Sequence, residues 1–338
     1  MNPFESRSLR CLTFSILFLI YCIFISSKFQ TINAADDEKN NSAASNSNDS
    51  TKLPNECGTF TKFFPPKTSK DNKGNNRKSK VIGGRDALIE EFPWHASLQK
   101  FRVILPLPLP DWRHVCGASI VNNFWLITAA HCVDGLINSW FPGQLRIVAG
   151  TDRWRYTLFQ RKIQTPTVSK IFLHPEWNPR KAQNDIALIK VSKPLEFNSR
   201  VRPICLPSSI AYELNAGQSV SVAGYGYTTD NIILNFLPDS LKAVEVPVVG
   251  MQNCRQTYNS SRIPITDRMI CAGITTDGRC SGAMRGDSGS ALVSYQNNRA
   301  IHSGIVSFSL PCRFFGTPDV YTRTSPYLDW IKSTIKNH

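Results

Sequence analysis

Three short stretches carry residue types that nucleophilic catalysis requires: Thr128-Ala129-Ala130-His131-Cys132, Asn184-Asp185-Ile186-Ala187-Leu188 and Gly286-Asp287-Ser288-Gly289-Ser290. Acyl transfer through a hydroxyl needs a nucleophile, an imidazole that takes and returns its proton, and a buried carboxylate that fixes the imidazole tautomer. Ser288, His131 and Asp185 match these roles. Each stretch alone is a weak signal, because a histidine beside a cysteine in an apolar run is more often packed core than a base. The conjunction carries the reading. A zinc site is the competing chemistry, but neither a Cys-x-x-Cys pair nor a histidine pair at ligand spacing occurs, so no metal and no cofactor are expected.

Such groups need a rigid body to position them. A chain of 338 residues, 41% of them hydrophobic, can bury a sizeable core, and its 19 Gly and 21 Pro exclude a collagen-like or low-complexity whole. From Val81 onward, β-type runs such as Leu145 to Val148, Ile186 to Ile189, Ser219 to Ala223 and Ala243 to Val249 are separated by Gly, Pro and Asn. Ser219 to Val222 alternates as a strand with one buried face does. Many short strands predict an all-β sandwich or barrel body. One helix is expected at the C-terminus, with Ser325 as N-cap, Pro326 in the first turn, and Leu328, Ile331 and Ile335 at helical spacing.

The N-terminal region has a different texture. Arg7 and Arg10 precede an uncharged apolar run from Cys11 to about Ser26, and Ile32-Asn33-Ala34 offers small residues for cleavage, which predicts a secretory signal over residues 1–34. The rival, a signal anchor, is disfavoured because the run falls short of the roughly 20 residues a spanning helix needs. Losing Cys11 and Cys22 with the signal leaves an even number of cysteines, as disulfides in an oxidising compartment require. Residues 36–52 are rich in Asn, Ser and charge and are expected to be disordered. Residues 61–80 form a basic, Pro- and Gly-broken segment that reads as an exposed, protease-accessible linker. The formal charge of +14 draws its densest run from this linker, and no nucleic-acid motif accompanies it.

The ordered trio and its surroundings resemble the chymotrypsin-like (trypsin-like) serine peptidases, whose chain order is His, Asp, Ser. The resemblance covers Val81 to His338 and implies two packed six-stranded antiparallel barrels, a cleft between them and a terminal helix. It also implies a hydrolase acting on protein substrates, with an oxyanion hole formed by the N–H groups of Gly286 and Ser288. Ser307 would support Asp185 and the substrate backbone, with Phe308 in place of the usual Trp. Lys80 before Val81-Ile82-Gly83-Gly84 resembles an activation junction. Cleavage there would free a Val81 ammonium to pair with Asp287, making the chain a zymogen that needs an activating protease. Residues 35–80 are then a pro-segment and light chain. The implied disulfides are Cys116 with Cys132, Cys254 with Cys271, Cys280 with Cys312, and Cys57 with Cys205. The last would tether the light chain, and a single cysteine there argues against a disulfide-knit clip module.

Primary specificity is where the pattern departs. Cys280 lies eight residues before Ser288, more than the family spacing, implying an insertion around Ser281 to Met284. Counting from Cys280 puts Gly278 at the pocket floor with Arg279 following; counting back from Ser288 puts Gly282 there. Neither register supplies the Asp by which trypsins bind basic side chains. Asp319 and Ser309 stand at usual Gly positions. Asp319 would bind a substrate Lys or Arg, or be neutralised by Arg279 and narrow the slot; Asp277 is a further candidate. Ser290 replaces the second Gly usual after the nucleophile. The apolar loop Val103 to Pro110 reads equally as a partner surface or as a Pro-stiffened loop packed on its own domain. Asp152 is the lone acid near the calcium position of other members, so no calcium is expected. Asn40, Asn48 and Asn259 begin N-x-Ser sequons. The leading expectation is a secreted endopeptidase zymogen of a regulatory cascade, with a protein inhibitor among its partners and neither nucleic acid nor stable membrane association. The alternative is a non-catalytic homologue that acts as a binding or cofactor protein.

Overall fold

Thirteen strands can be followed in the computed structural model, which describes residues 49–62, 84–104, 109–136, 144–155, 162–227, 238–261, 263–273, 281–310 and 317–338. Six form the first sheet: β2 (His95–Ile104), β3 (Leu109–Ile120), β4 (Trp125–Thr128), β5 (Leu145–Ala149), β6 (Val168–Leu173) and β7 (Ala187–Val191). Their order is β5-β2-β3-β4-β7-β6, antiparallel throughout, and the bridges Arg146–Thr167 and Ala149–Gln164 draw its two edges together.

The second sheet contains β1 (Arg85–Asp86), β8 (Ser219–Gly224), β9 (Lys242–Val249), β10 (Met269–Ala272), β11 (Ala291–Gln296), β12 (Arg299–Phe308) and β13 (Asp319–Arg323). Its order is β1-β9-β10-β13-β12-β11-β8, and a further β8–β9 pairing closes six of the strands into a barrel, with β1 as an extra edge strand. Closure removes open edges, which suits short strands that cannot protect them otherwise. β11 and β12 join through Asn297-Asn298, both in the left-handed region as a two-residue hairpin demands.

The expected β runs are present with small changes of boundary. On β8, Val220 and Val222 enter the core of the second barrel, yet Ser221 is buried as well, so the alternation does not mark a solvent face. At the C-terminus a 3-10 turn at Ser325–Tyr327 leads into a helix at Leu328–Asn337, which buries Leu328, Ile331 and Ile335. Ser325 does not cap it: its hydroxyl donates to Tyr212 O at 2.9 Å. A short helix, α1 (Met251–Thr257), was not expected; the C-terminal one is α2. Cys254, within α1, is bonded to Cys271 on β10. No described helix is long and apolar enough to cross a membrane.

Part of the stretch expected to be disordered is ordered. Asn122 donates through Nδ2 to Ser50 O and Lys52 O, at 3.1 and 3.0 Å, while its Oδ1 accepts Phe124 and Trp125 N–H. A buried amide thus satisfies backbone groups that the local sequence cannot. Beyond it, Cys57 is bonded to Cys205, Gly58 exchanges backbone hydrogen bonds with Pro203 O and Ala300 N, and Phe60 packs edge-on against Trp94 and Tyr295. The expected signal, the linker beyond Lys62 and the Cys280–Cys312 pair lie outside the described residues. In the apolar loop, Val103 and Ile104 pair with Pro110 and Leu109 as the end of the β2–β3 hairpin, and residues 105–108 lie outside the described set.

Candidate active site

His131 sits in a 3-10 turn, Ala130–Cys132, directly after β4, and the Cys116–Cys132 disulfide ties that turn back to β3. Asp185 precedes β7 on the neighbouring strand of the same sheet and is 1% exposed. Its carboxylate grips the histidine twice: Oδ1 accepts the His131 backbone N–H at 2.9 Å and Oδ2 accepts Nδ1–H at 2.7 Å. Ser307, on β12 of the second barrel, donates to the same Oδ2 at 2.5 Å. Burial alone would lower the imidazole pKa, but the hydrogen bond and charge of Asp185 outweigh it and hold the ring above its ordinary value. Nδ1 is thereby fixed as the protonated nitrogen, which leaves Nε2 as the one able to take a proton.

Ser288 lies on the turn between Gly286 and β11, and that turn abuts the histidine turn. Gly289, at φ +81°, has room for no side chain: a Cβ would lie 2.3 Å from Thr128 Oγ1 and 3.2 Å from Ala129 N. The Gly117 N–H donates to Ser288 O at 2.8 Å and the Gly289 N–H to Val306 O at 2.9 Å. Gly286, at φ +100°, adopts a backbone that other residues rarely accept.

Asp287 is buried. Oδ1 accepts the Gly226 N–H at 2.6 Å and Oδ2 the Met284 N–H at 2.8 Å. Desolvation raises its pKa to about 6 against those two bonds, and none of the described ion pairs involves it. Beside it runs a contact that the sequence did not disclose. His114 Nε2 lies 2.9 Å from Gly286 O and Nδ1 lies 2.7 Å from Ser97 Oγ. Burial lowers the His114 pKa to about 4, so the ring is neutral, with Nε2–H donating to the carbonyl and Nδ1 accepting from the serine. A histidine and a serine on paired strands carry no local signal of a partner 172 residues away.

Of the expected pocket residues, Ser307 and Asp319 are buried and Ser309 is exposed. Asp319 Oδ2 accepts the Ala283 N–H at 2.6 Å, and burial raises this acid to about 8. A Cβ on Gly282 would lie 1.9 Å from that oxygen, so Gly282 faces Asp319. Phe308 packs edge-on against Tyr258. Lys80, Val81, Asp277, Gly278, Arg279, Cys280 and Cys312 lie outside the described residues. Cys116, His131 and Cys132 cluster within 4.8 Å as metal-binding groups would, but the two sulfurs are joined in a disulfide and offer no thiolate.

The family model described as Trypsin matches residues 81–331. The chain belongs to the trypsin family. It is 39% identical to Trypsin-1 of Astacus astacus over 255 residues, covering 75% of this chain and 99% of that one. Similarity to the CLIP domain-containing serine protease HP8 of Bombyx mori is 34% over 310 residues, 87% of this chain and 76% of the relative. Serine proteinase stubble of Drosophila melanogaster is 31% identical over 262 residues, 77% of this chain but 31% of that longer protein. This trypsin-family chain shares the double-barrel fold implied by its motifs, with three of the four implied disulfides formed among the described residues.

Proposed function

We propose that the protein is a secreted serine endopeptidase, made as a zymogen and activated by cleavage after Lys80, that hydrolyses peptide bonds through an acyl-enzyme on Ser288. The observation that carries this reading is the double grip of Asp185 on His131, which leaves Nε2 free to act as the base. In this reading Ser288 Oγ attacks the substrate carbonyl as its proton passes to His131 Nε2, and the developing oxyanion is held by the N–H groups of Gly286 and Ser288. The imidazolium then protonates the leaving amine, and water, deprotonated by the same nitrogen, releases the acyl group.

Activation supplies the cation that Asp287 lacks among the described residues. A free Val81 ammonium placed against this carboxylate would stabilise the turn that carries Gly286 and Ser288. The Cys57–Cys205 bond would keep the cut light chain attached, with a role in a regulatory cascade, a setting suggested also by the likeness to a CLIP domain-containing protease. Secretion is supported by the apolar N-terminal run with Arg7 and Arg10, and glycosylation by the exposed Asn259 sequon. For specificity, a buried Asp319 whose carboxyl is engaged by the Ala283 N–H and set against Gly282 is read as narrowing the slot toward smaller, uncharged substrate side chains over Lys or Arg.

The test is to cut purified zymogen after Lys80 and assay a peptide library beside a Ser288→Ala control. Cleavage that vanishes in the control, with a profile poor in Lys and Arg, is the expected result. Correctly cut protein, with a free Val81 amine, that neither cleaves peptides nor reacts with a serine-directed phosphonate would overturn the reading in favour of a binding homologue.

A further inference from the structure

Asn184 precedes Asp185 and stands in the left-handed region at φ +56°, a conformation that Asn tolerates and most residues resist. Both ends of its amide are engaged. Oδ1 accepts Arg268 Nη1 at 2.8 Å and Tyr327 Oη at 2.9 Å, and Nδ2 donates to Glu176 O at 2.8 Å. The two donors to Oδ1 lie outside the first barrel: Arg268 immediately precedes β10 and Tyr327 immediately precedes α2. Arg268 is anchored in turn, since its carbonyl accepts the Arg323 N–H at 2.9 Å and its guanidinium lies 3.4 Å from Glu176 Oε2 and 5.7 Å from the Tyr327 ring centre. Thr322, on β13, donates to Asp185 O at 3.0 Å. A cavity of about 390 Å³ flanks the turn, with Ala182, Asn184, Arg268 and Thr322 in its wall. On that side hydrogen bonds, rather than close packing, support the turn.

The direction of the Asp185 side chain depends on the peptide that Asn184 presents to it. We propose that Asn184, clamped from outside the first barrel by Arg268 and Tyr327, is a positioning residue that sets the geometry between Asp185 and His131. The inference rests on the reading of His131 as general base. Through Arg268 the clamp joins the turn that carries Asp185 to the edge of β10 in the second barrel, the half that also supplies Ser307 to the same carboxylate.

The test uses the full chain, cut after Lys80, with Asn184→Ala, Asn184→Gly, Arg268→Ala and Tyr327→Phe. Asn184→Ala is expected to lower kcat by about 10- to 100-fold with KM within about twofold of the parent, and to lower the apparent base pKa of the kcat/KM profile by about one pH unit. Asn184→Gly, which restores tolerance of the left-handed backbone without the amide, recovers part of the loss, and each single-donor variant loses a few fold. His131 is titrated in parallel by NMR in Ser288→Ala protein, a readout that needs no turnover. It decides the clamp even if the cut parent proves inactive and the peptidase reading fails. A variant that melts earlier but keeps the parent His131 titration has a structural role only, and that result overturns the proposal. Should Asn184→Ala not fold, Tyr327→Phe decides: a His131 titration shifted downward supports the clamp, and an unshifted one sinks it.

Discussion

The carboxylate of Asp287 offers a test whose sign should reverse on activation. In the uncut chain it is buried with two backbone N–H donors and no described cation, and its pKa rises from the ordinary 3.8 to about 6. A carboxyl with a folded pKa above its unfolded one favours folding while protonated, and that advantage is lost as pH rises through about 6. Roughly two pH units at about 1.4 kcal/mol each gives a penalty near 3 kcal/mol when fully ionised, of which about 2 kcal/mol develops between pH 4 and pH 8. Asn cannot titrate, and its fixed cost of one lost acceptor cancels when the difference from the parent is followed against pH. Asp287→Asn in uncut protein should therefore gain about 2 kcal/mol on the parent from pH 4 to pH 8, measured by urea unfolding with Ser288→Ala in both to prevent self-cleavage. Asp319, raised in part by the charge of Asp287, adds in the same direction. If cleavage after Lys80 brings the Val81 ammonium to this carboxylate as proposed, the same substitution in the cut protein should destabilise at pH 8 by about 3 kcal/mol or more. A difference that stays flat with pH in the uncut form would refute the account of the buried acid. Identical responses in the two forms would refute the pairing with Val81.

Two further substitutions probe the frame. His302 is fully buried with Nδ1 on Thr324 Oγ1, and burial lowers its pKa to about 4. Below about 6.5 the unfolded ring takes a proton that the folded one refuses, so stability present above that pH is lost as pH falls toward 4; His302→Gln should recover about 3 kcal/mol on the parent between pH 7 and pH 4 in urea titrations. At Gly58, φ is +65° and a Cβ would lie 2.4 Å from Ala300 O, so Gly58→Ala should cost about 2–4 kcal/mol through backbone strain and loss of the Ala300 hydrogen bond, read as a lower Tm.

What the sequence disclosed and what it withheld divide along range of interaction. The three motifs, the β runs and the apolar stripe of α2 are local patterns, because residue type and spacing alone specify them. The ordering of residues 49–52 depends on the amide of Asn122, some 70 positions away, and composition pointed the other way. The non-capping Ser325 shows the same competition: a tertiary acceptor, Tyr212 O, takes the hydroxyl that local rules assign to the helix end. Helix α1 is too short to show a periodic face, and its Cys254 is covalently joined to β10. His114 and Ser97 belong with these cases, since their task beside Gly286 exists only once the two barrels meet.

The departures from the family pattern around Ser288 follow a common steric logic. Ser290, at a usual Gly, points at Gly117: a Cβ on that glycine would lie 2.0 Å from Ser290 Oγ, so the exchange is accommodated only because the facing residue has no side chain. Its hydroxyl is buried without a hydrogen-bond partner among the described residues, a cost of about 1–3 kcal/mol that Ala would not incur. Asp319, at another usual Gly, faces Gly282 in the same way, and its carboxyl accepts the Ala283 N–H. Both place polar bulk against a glycine, and neither shares a hydrogen bond with His131, Asp185 or Ser307. The hydrogen bonds around His131 and the polar groups set against Gly117 and Gly282 involve separate residues, so substitutions at Ser290 or Asp319 are expected to alter the proposed pocket while leaving the Asp185–His131 pair in place.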